Sequence, residues 1–394
     1  MSHYMNIKLI ESLACISKII DMINPRLNLH HVRTAFIAWH LARESRFTPA
    51  QCRKTLLAAL LHDIGGLNEE SRLQPLSYYD NELNNHAAVG AELLASVPLL
   101  NPLSSIVRYH HTHWDNGKGD YVNGEKVPRE SHVVYLADRL DVLIALYRAS
   151  DILSAKEEII NIIVGGEHIL YNPEFINAFR KVANCEHFWL KIKSTEFDDY
   201  IQDIPRIHND SISLHNFRDI ANMLAFIIDG FSQNGVQHSL VVGRISGYLA
   251  REMGIPPVQC LKIEIGGLLH NLTSLALCAA PAHTGEDNAI WGELYPIEAI
   301  RDIARWCQIQ KTGVAQATHP LEVRILKASI WLASLLQGVT LSSEFKVRVG
   351  ETAEIAPELA DIVRQNSEVL LQIFQESVKE RRALVQRINQ LGLT

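Results

Sequence analysis

The stretch LLHDIGGL at residues 60–67 places an imidazole beside a carboxylate inside an apolar run, where a helix would normally bury leucine. A buried histidine is more often hydrogen-bonded than metal-bound, so the dipeptide alone does not decide its role. Neutral imidazole and ionised carboxylate are nevertheless good ligands for divalent first-row metals. Neighbouring residues on a helix point about 100° apart, so His62 can hold one ion while Asp63 turns to bridge two.

Further residues of ligand type lie in the same part of the chain. They are His30, His86, His110, His111 and Asp138. Together with His62 and Asp63 they are too many for one four-coordinate zinc site. The set suits two octahedral ions that share a bridging carboxylate and a solvent molecule.

Helices must position these residues. Most of the chain has apolar residues at three- and four-residue spacing, as in TLLAALLHDI and VVYLADRLDVLIALY, which predicts helices with one buried face. Strand signals are sparse, so the predicted fold class is all-α. Glycine, proline and polar residues cluster at 66–75, 116–128 and 279–292, and these segments are predicted to be loops.

The chain contains an internal repeat. HHVRTAFIAWHLARE (30–44) aligns with HSLVVGRISGYLARE (238–252), and the second histidine follows at the same distance in LLHDIGG and LLHNLTS. Further matches in the same order pair IVRYHH (106–111) with IARWCQ (303–308) and VVYLADRLDVL (133–143) with RILKASIWLAS (324–334). This pattern predicts two tandem helical modules, residues 1–200 and 201–394.

The two copies differ at the positions of ligand type. The second copy keeps His238 and His270, but the other ligand positions are replaced. The replacements are Asn271, Cys307, Gln308 and Ser329. The chemistry is therefore predicted to lie in the first module, and the second is expected to bind no catalytic metal and to have a structural or regulatory role, including the formation of a homodimer.

The composition excludes several function classes. The chain has 394 residues, 37 of them basic and 44 acidic, without the lysine and arginine cluster of a nucleic-acid-binding surface. Six cysteines without a CxxC pair favour reduced thiols over disulfides or structural zinc. No apolar run reaches about 18 residues and the first residues lack the plan of a signal peptide. We therefore expect a cytoplasmic protein with no nucleic-acid or membrane partner.

The order H…HD…H…HH…D on helices resembles the HD metal-dependent phosphohydrolases, and within them the HD-GYP subfamily. The resemblance includes LHDIG (61–65), HAAVG (86–90), HHTHWDNG (110–117), LADRLD (136–141) and GGEHILYNPEFINAF (165–179), and IIDGFSQNGVQHS (227–239) in the second module. It implies hydrolysis of a nucleotide phosphoester such as cyclic di-GMP, with iron or manganese as the first choice of metal and nickel, cobalt or zinc as alternatives. It also implies two ligand sets that share Asp63: His30, His62, Asp63 and Asp138 for one ion, and Asp63, His86, His110 and His111 for the other.

The sequence departs from the subfamily at several positions. Gly66 replaces a lysine associated with phosphate and leaving-group chemistry, and the GYP signature is absent. His113 and His132 stand where arginines are usual. Arg26 stands near the position of a carboxylate that helps to hold a third metal in some members, so two ions are expected.

Further residues are assigned roles around the metal ligands. Arg33, one turn from His30 on the same face, is the predicted phosphate contact, and Asp141 is predicted to support a ligand. The predicted catalytic residues are thus Asp63, Arg33 and Asp141. Additional substrate contacts are predicted in the loop, with a solvated loop as the alternative for each: His113, Trp114, Lys118 and Tyr121. His31 and His40 are predicted to be ordinary helix residues.

Three functions remain open from the sequence. The first is a phosphodiesterase acting on a cyclic dinucleotide or another nucleotide, a small-molecule substrate. The second is a di-iron oxygenase built on the same ligands, which the missing lysine favours. The third is a catalytically weak or inactive nucleotide-binding signalling protein, against which the intact ligand set argues, because buried polar side chains are costly without a partner.

Overall fold

The computed structural model describes residues 7–22, 29–66, 85–147, 151–193, 211–230, 235, 237–274, 290–311, 318–338, 342–350 and 355–391. Contacts divide the chain into two compact units. The N-terminal unit is Ile10–Asp210 with Leu391–Thr394, and the C-terminal unit is Ser211–Gln390 with Met1–Leu9. The predicted module boundary at residue 200 lies outside the described residues. The assignment of one catalytic and one degenerate module stays a prediction.

The described part of the N-terminal unit is helical, as the periodicity predicts. Its α-helices are α1 Leu9–Asp21, α2 His30–Glu44, α3 Pro49–Leu61, α4 Asn85–Ala95, α5 Ser104–Arg108, α6 Arg129–Leu146, α7 Ile152–Gly165, α8 Pro173–Ala183 and α9 Glu186–Ile192. Two 3₁₀ turns lie at Asn101–Leu103 and Asp115–Asp120, and a two-residue hairpin pairs Tyr121–Val122 with Glu125–Lys126. The segment 116–128, predicted as loop, therefore contains short regular structure.

Local sequence explains where several helices begin. The Thr48 side chain accepts a hydrogen bond from the Gln51 backbone while the Gln51 side chain accepts one from the Thr48 backbone, and Pro49 takes the first turn of α3. At α8 the Asn172 side chain accepts a hydrogen bond from the Glu174 backbone N–H, and Pro173 is the first residue of the helix. The cap at Thr48 fixes the start of α3, which ends directly before His62 and Asp63.

Helices α2 and α6 form the centre of the N-terminal unit. Every residue from His30 to Trp39 and from Ser131 to Ile144 is buried, so both helices are covered on all sides over these stretches. Helix α2 packs against α3 and α6. Polar side chains at the start of α2 and in the middle of α6 are therefore held in the interior.

The C-terminal unit repeats the arrangement. The α-helices bounded within its described residues are α10 Leu214–Gly230, α11 His238–Glu252, α12 Pro257–Leu269, α13 Arg301–Gln310, α14 Leu321–Leu336, α15 Ser342–Gly350, α16 Pro357–Gln365 and α17 Ser367–Gln390. A strand pair joins Ile7–Lys8 to Ser211–Ile212, and a 3₁₀ turn lies at Glu298–Ile300. The predicted loop at 279–292 is wrong at its end, where 290–292 are helical, and its earlier residues lie outside the described part.

The predicted fold class, all-α, is confirmed by this helical architecture, since every strand in the described ranges is two residues long. The repeat is visible in local geometry. The imidazole rings of His30 and His62 lie 5.1 Å apart at 59°, and those of His238 and His270 lie 5.3 Å apart at the same angle. None of the helices in the described ranges is long and apolar enough to cross a membrane.

Candidate metal centre

Five elements of the N-terminal unit bring the seven predicted ligands together. His30 is the first residue of α2, and His62 and Asp63 form the turn after α3. His86 lies in the first turn of α4, the pair His110 and His111 follows α5, and Asp138 lies in the middle of α6. Residues separated by more than a hundred positions thus converge on one buried place.

The ligand atoms form two groups around Asp63. One group is Asp63, His86, His110 and His111, and the other is His30, His62 and Asp138; within each group the ligand atoms lie within 4.8 Å of one another. The Oδ1 atom of Asp63 lies 3.2 Å from Nε2 of His86 and 3.4 Å from Nε2 of His110. Its Oδ2 atom lies 3.4 Å from Nε2 of His62 and 3.7 Å from Nε2 of His30. The two oxygens of one carboxylate therefore face different groups.

The histidine rings are oriented by hydrogen bonds from Nδ1. His62 donates to the carbonyl of Ala59 at 2.8 Å, and His110 donates to the carbonyl of Val107 at 2.6 Å. Each acceptor is a carbonyl in the last turn of the preceding helix, where backbone acceptors lack a helical partner. Because Nδ1 carries the proton, Nε2 is left as the lone-pair atom that points at Asp63.

His30 is oriented by a side chain instead. Its Nδ1 donates to Asp141 Oδ2 at 2.8 Å, and the same carboxylate accepts from Arg33 through Nε at 2.6 Å and Nη2 at 3.0 Å. The structure thus brings the predicted supporting residue, Asp141, onto a candidate ligand. The guanidinium of Arg33, predicted as a phosphate contact, is held by Asp141, and its contact with substrate stays a prediction.

Several buried atoms of this cluster have no hydrogen-bond partner among the described residues. They are Nε2 of His30, His62 and His110, both carboxylate oxygens of Asp63, and Oδ1 of Asp138. A buried polar atom without a partner costs free energy, and so many in one place require an explanation. All of them are imidazole nitrogens or carboxylate oxygens that face one another, so divalent cations would satisfy them all. The residues present therefore fit a dinuclear metal site.

The charges in the cluster favour cations. Burial alone would raise the pKa of Asp63, but the surrounding imidazoles, His62 first, hold that pKa well below its usual range. Burial also opposes ionisation of Asp138, whose pKa is nevertheless lowered because Arg139 donates to Oδ2 at 2.6 Å. Both carboxylates are therefore ionised near neutral pH, which is the form that binds metal.

The histidines differ in protonation. Burial, reinforced by the neighbouring His111, lowers the pKa of His110 to about 3, so its ring is neutral and ready to bind. Burial would also lower the pKa of His30, but the hydrogen bond to Asp141 and the nearby carboxylates outweigh it and raise that pKa to about 10. A metal at Nε2 of His30 would therefore have to displace a proton.

A close backbone contact joins α4 to the turn after α3 that contains His62 and Asp63, called the HD turn below. A Cβ atom at Gly65 would lie 2.1 Å from the carbonyl oxygen of His86 and 2.3 Å from the backbone nitrogen of Gly90. Only glycine fits at this approach. The two glycines of LHDIG and HAAVG therefore set the distance between Asp63 and His86.

The predicted substrate loop is ordered by the segment that follows α7. The backbone N–H groups of Trp114, Asp115 and Asn116 donate to the carbonyls of residues 170, 169 and 168, at 3.2, 2.8 and 2.7 Å. Gly119 is also required, since a Cβ there would lie 1.8 Å from the His113 carbonyl oxygen. The loop is thus a defined structure next to the His110–His111 pair.

The four predicted substrate residues have different surroundings. The half-buried His113 ring lies 5.4 Å from Tyr135, whose ring lies 6.1 Å from the candidate ligand His111. The centroids of the Trp114 ring and the buried His132 ring lie 5.4 Å apart, and the two rings are nearly perpendicular. Lys118 is 80% exposed and pairs with Asp115, and Tyr121 is 55% exposed. Their contact with a substrate stays a prediction, as does the role of Gly66, which donates to the Asp63 carbonyl at 3.0 Å.

His31, predicted to be an ordinary helix residue, lies against the cluster. Its Nδ1 and backbone N–H both donate to Asp21 at the end of α1, and its ring lies 5.1 Å from His62. Its Nε2 is buried without a hydrogen-bond partner, and it forms a third candidate group with His62 and Asp63. In the internal repeat, His31 aligns with Ser239, so the two copies differ at this position as well.

The corresponding positions of the C-terminal unit keep the scaffold. His270 donates from Nδ1 to the Gly267 carbonyl at 2.8 Å, just as His62 does to Ala59. In place of Asp138, Ser329 donates to the Ile325 carbonyl at 2.8 Å, and in place of His110, the Cys307 thiol lies 3.4 Å from the Gly266 carbonyl oxygen. Whether this unit binds metal stays a prediction.

Comparisons with known proteins agree with this geometry. Residues 29–143, which include all seven candidate ligands, match the HD domain family. The chain is 24% identical over 280 residues to the 3'3'-cGAMP-specific phosphodiesterase 1 of Vibrio cholerae serotype O1; the alignment covers 68% of this chain and 64% of that relative. The crystal structure of a cyclic GMP-AMP-specific phosphodiesterase of V. cholerae superposes with a TM-score of 0.54 and 15% identity over 93% of this chain and 98% of that one, which supports the fold.

Proposed function

We propose, on the premise that residues 29–143 are an HD domain, that this chain is a metal-dependent phosphodiesterase with two ions that share Asp63. The observation that carries the proposal is the division of the Asp63 oxygens between the two groups. Oδ1 faces His86 and His110, and Oδ2 faces His30 and His62. A carboxylate in this position suits a bridge between two cations.

The two groups of ligand atoms support the proposed ligand sets. His30, His62 and Asp138 would hold one ion with Asp63, and His86, His110 and His111 would hold the other with Asp63. Such a pair of ions supplies a nucleophilic hydroxide near neutral pH and a place for a phosphate oxygen. Iron or manganese remains the first choice, because imidazole and carboxylate ligands suit both.

The protein groups around the ions have supporting roles in this proposal. Asp141 holds the His30 ring in the tautomer that presents Nε2, and Arg33 balances the charge of Asp141 beside the site. A substrate phosphate would meet Arg33 as a further positive group. His113 and Trp114 would contact the bases, with Lys118 and Tyr121 as exposed contacts on the same loop.

The names of the two relatives support the proposed substrate class. Both are named for 3'3'-cGAMP or cyclic GMP-AMP, a cyclic dinucleotide. We therefore extend the HD-GYP-type expectation of cyclic di-GMP to 3'3'-cGAMP as a second cyclic dinucleotide substrate. We expect this chain to differ from HD-GYP proteins in rate and base preference, because another loop replaces the GYP signature and Gly66 replaces a lysine. The expected location is the cytoplasm, where such messengers and reduced thiols occur.

The test is hydrolysis by the full chain loaded with Mn²⁺ or Fe²⁺. The substrates are 3'3'-cGAMP, cyclic di-GMP and bis-p-nitrophenyl phosphate, and the control is Asp63→Asn, which keeps the shape of the side chain but not its charge. The proposal predicts that the wild type cleaves at least one ester and that the variant does not.

Two results would contradict the proposal in different ways. Iron-dependent oxygen uptake without ester cleavage would favour the di-iron oxygenase. Nucleotide binding without turnover of any ester would favour the signalling protein.

A further inference from the structure

A histidine outside the predicted ligand set lies against the metal centre. The imidazoles of His30, His31 and His62 form a triangle, with centroids 5.5 Å apart for His30 and His31 and 5.1 Å apart for the other two pairs. His31 is almost completely buried, and its Nε2 has no hydrogen-bond partner in the described part of the chain. Its ligand atom lies within 4.8 Å of those of His62 and Asp63.

The tautomer of His31 is fixed in the same way as that of the predicted ligands. Its Nδ1 donates to Asp21 Oδ1, and its backbone N–H donates to Asp21 Oδ2 at 3.2 Å. A carboxylate acceptor at Nδ1 leaves the Nε2 lone pair for another partner, as Asp141 does for His30. Two histidines in sequence thus have the same arrangement, and both present Nε2 to the turn that holds His62 and Asp63.

The C-terminal unit shows which part of this arrangement the fold requires. There Asp229 accepts hydrogen bonds from the backbone N–H of Ser239 at 2.8 Å and from its hydroxyl at 2.6 Å. Serine therefore completes the contact between the end of one helix and the start of the next. The imidazole at position 31 makes the same contact and adds one further polar atom, Nε2, which a purely structural contact does not need.

We propose that Nε2 of His31 is an additional ligand of the ion held by His62 and Asp63. This inference rests on the dinuclear site proposed above. It would give that ion five protein ligands, His30, His31, His62, Asp63 and Asp138, while the ion at His86, His110 and His111 would keep four with Asp63. If each ion took six ligands and the two shared one solvent molecule, the first would have no position left and the second would have one for a phosphate oxygen.

The experiment compares Mn²⁺ binding by wild type and His31→Ser after removal of metal with a chelator. Serine is the matched substitution, because Ser239 shows that it can bond the aspartate at this position. Calorimetric titration is expected to give two ions for both proteins, with the affinity for one ion reduced at least about tenfold in the variant and the other unchanged. His187→Ser, an exposed histidine on α9, is the control and should bind as the wild type does.

The outcomes separate this inference from the proposed function. Two ions with unchanged affinities in His31→Ser would overturn the additional ligand and leave the dinuclear site intact. A third ion that disappears with His31 would overturn the sharing of an ion with His62 and Asp63. A wild type that binds no Mn²⁺ would overturn both.

A measurement on the wild type covers the case in which the variant does not fold. With ¹⁵N-labelled histidine and Zn²⁺ as a diamagnetic probe, NMR counts the imidazoles whose nitrogen shifts on metal binding. The inference predicts that six do: His30, His31, His62, His86, His110 and His111. Only five shifted imidazoles, with His31 unchanged, would overturn it.

Discussion

Replacing Gly65 by alanine should separate the two halves of the metal centre. Gly65 lies between Asp63 and the N-terminal turn of α4, which carries His86. The added Cβ would lie 2.1 Å from the His86 carbonyl oxygen, and both of the nearest atoms are backbone atoms that no rotamer change can move. Relief therefore requires the start of α4 to retreat from the HD turn.

The size of the effect follows from this distance. Ordinary contact between heavy atoms begins at about 3.5 Å, so α4 must move away from Gly65 by more than about 1 Å. A displacement of about 1 Å between reacting groups typically costs about 10²-fold in rate, and overpacking of a core costs about 1–3 kcal/mol. We expect the variant to remain folded but to bind the ion at His86 weakly and to lose about 10²-fold in kcat/KM.

The assay is Mn²⁺ titration, with chemical denaturation of the metal-free protein beside it. Gly165→Ala is the control, because nothing lies within 4 Å of a Cβ at that position, and it should change neither property. Two ions bound by Gly65→Ala with wild-type affinities would show that α4 and the HD turn are not coupled, and would refute the reasoning.

Three further predictions concern charge. Asp141→Asn should reduce Mn²⁺ affinity about 10–100-fold, because it removes the carboxylate that orients His30. It should also lower the unfolding free energy, because the buried Arg33 loses its ion pair with Asp141. An unchanged Mn²⁺ titration would contradict this prediction. Since the pKa of His30 is raised to about 10, metal binding at pH 7 should release a proton, and the affinity should increase as pH rises. Calorimetry in two buffers of different ionisation heat measures the number of protons released. No release at pH 7 would contradict this prediction. In the C-terminal unit, burial raises the pKa of Asp229 to about 7, so between pH 4 and 7 the folded chain keeps a proton that the unfolded chain has released. The unfolding free energy should therefore fall with pH in this window, by up to about 1.4 kcal/mol per pH unit, and urea titrations at pH 5 and 7 should find this slope in the wild type and not in Asp229→Asn.

The helical architecture could be predicted because its causes are local. Apolar spacing sets the buried face of each helix, and signals such as Thr48-Pro49 with Gln51 set where helices begin. The internal repeat also predicted the order of the helices in the second half of the chain. The hairpin at Tyr121–Val122 and Glu125–Lys126 was not predicted, because strands of two residues carry no periodic signal.

The convergence of the seven candidate ligands could also be anticipated, because the second copy of the repeat keeps the helical pattern but replaces Asp63, His110, His111 and Asp138. Asp141 could be expected to support a ligand, but the group that balances its charge could not be predicted. Arg33 and Asp141 are 108 residues apart, and nothing local indicates that the guanidinium bonds this carboxylate. The sequence likewise predicts an ordinary helix residue at His31, because its contact with Asp21 joins the ends of two helices and depends on the orientation of the ring.

The most direct test of the account is the number of Mn²⁺ ions bound by the chelator-stripped chain with and without the Asp63 carboxylate. Because Oδ1 and Oδ2 face different groups, the account predicts two ions in the wild type and a weakening of both in Asp63→Asn. A single ion in the wild type, or the loss of only one ion in the variant, would contradict the bridging role on which the proposed function rests.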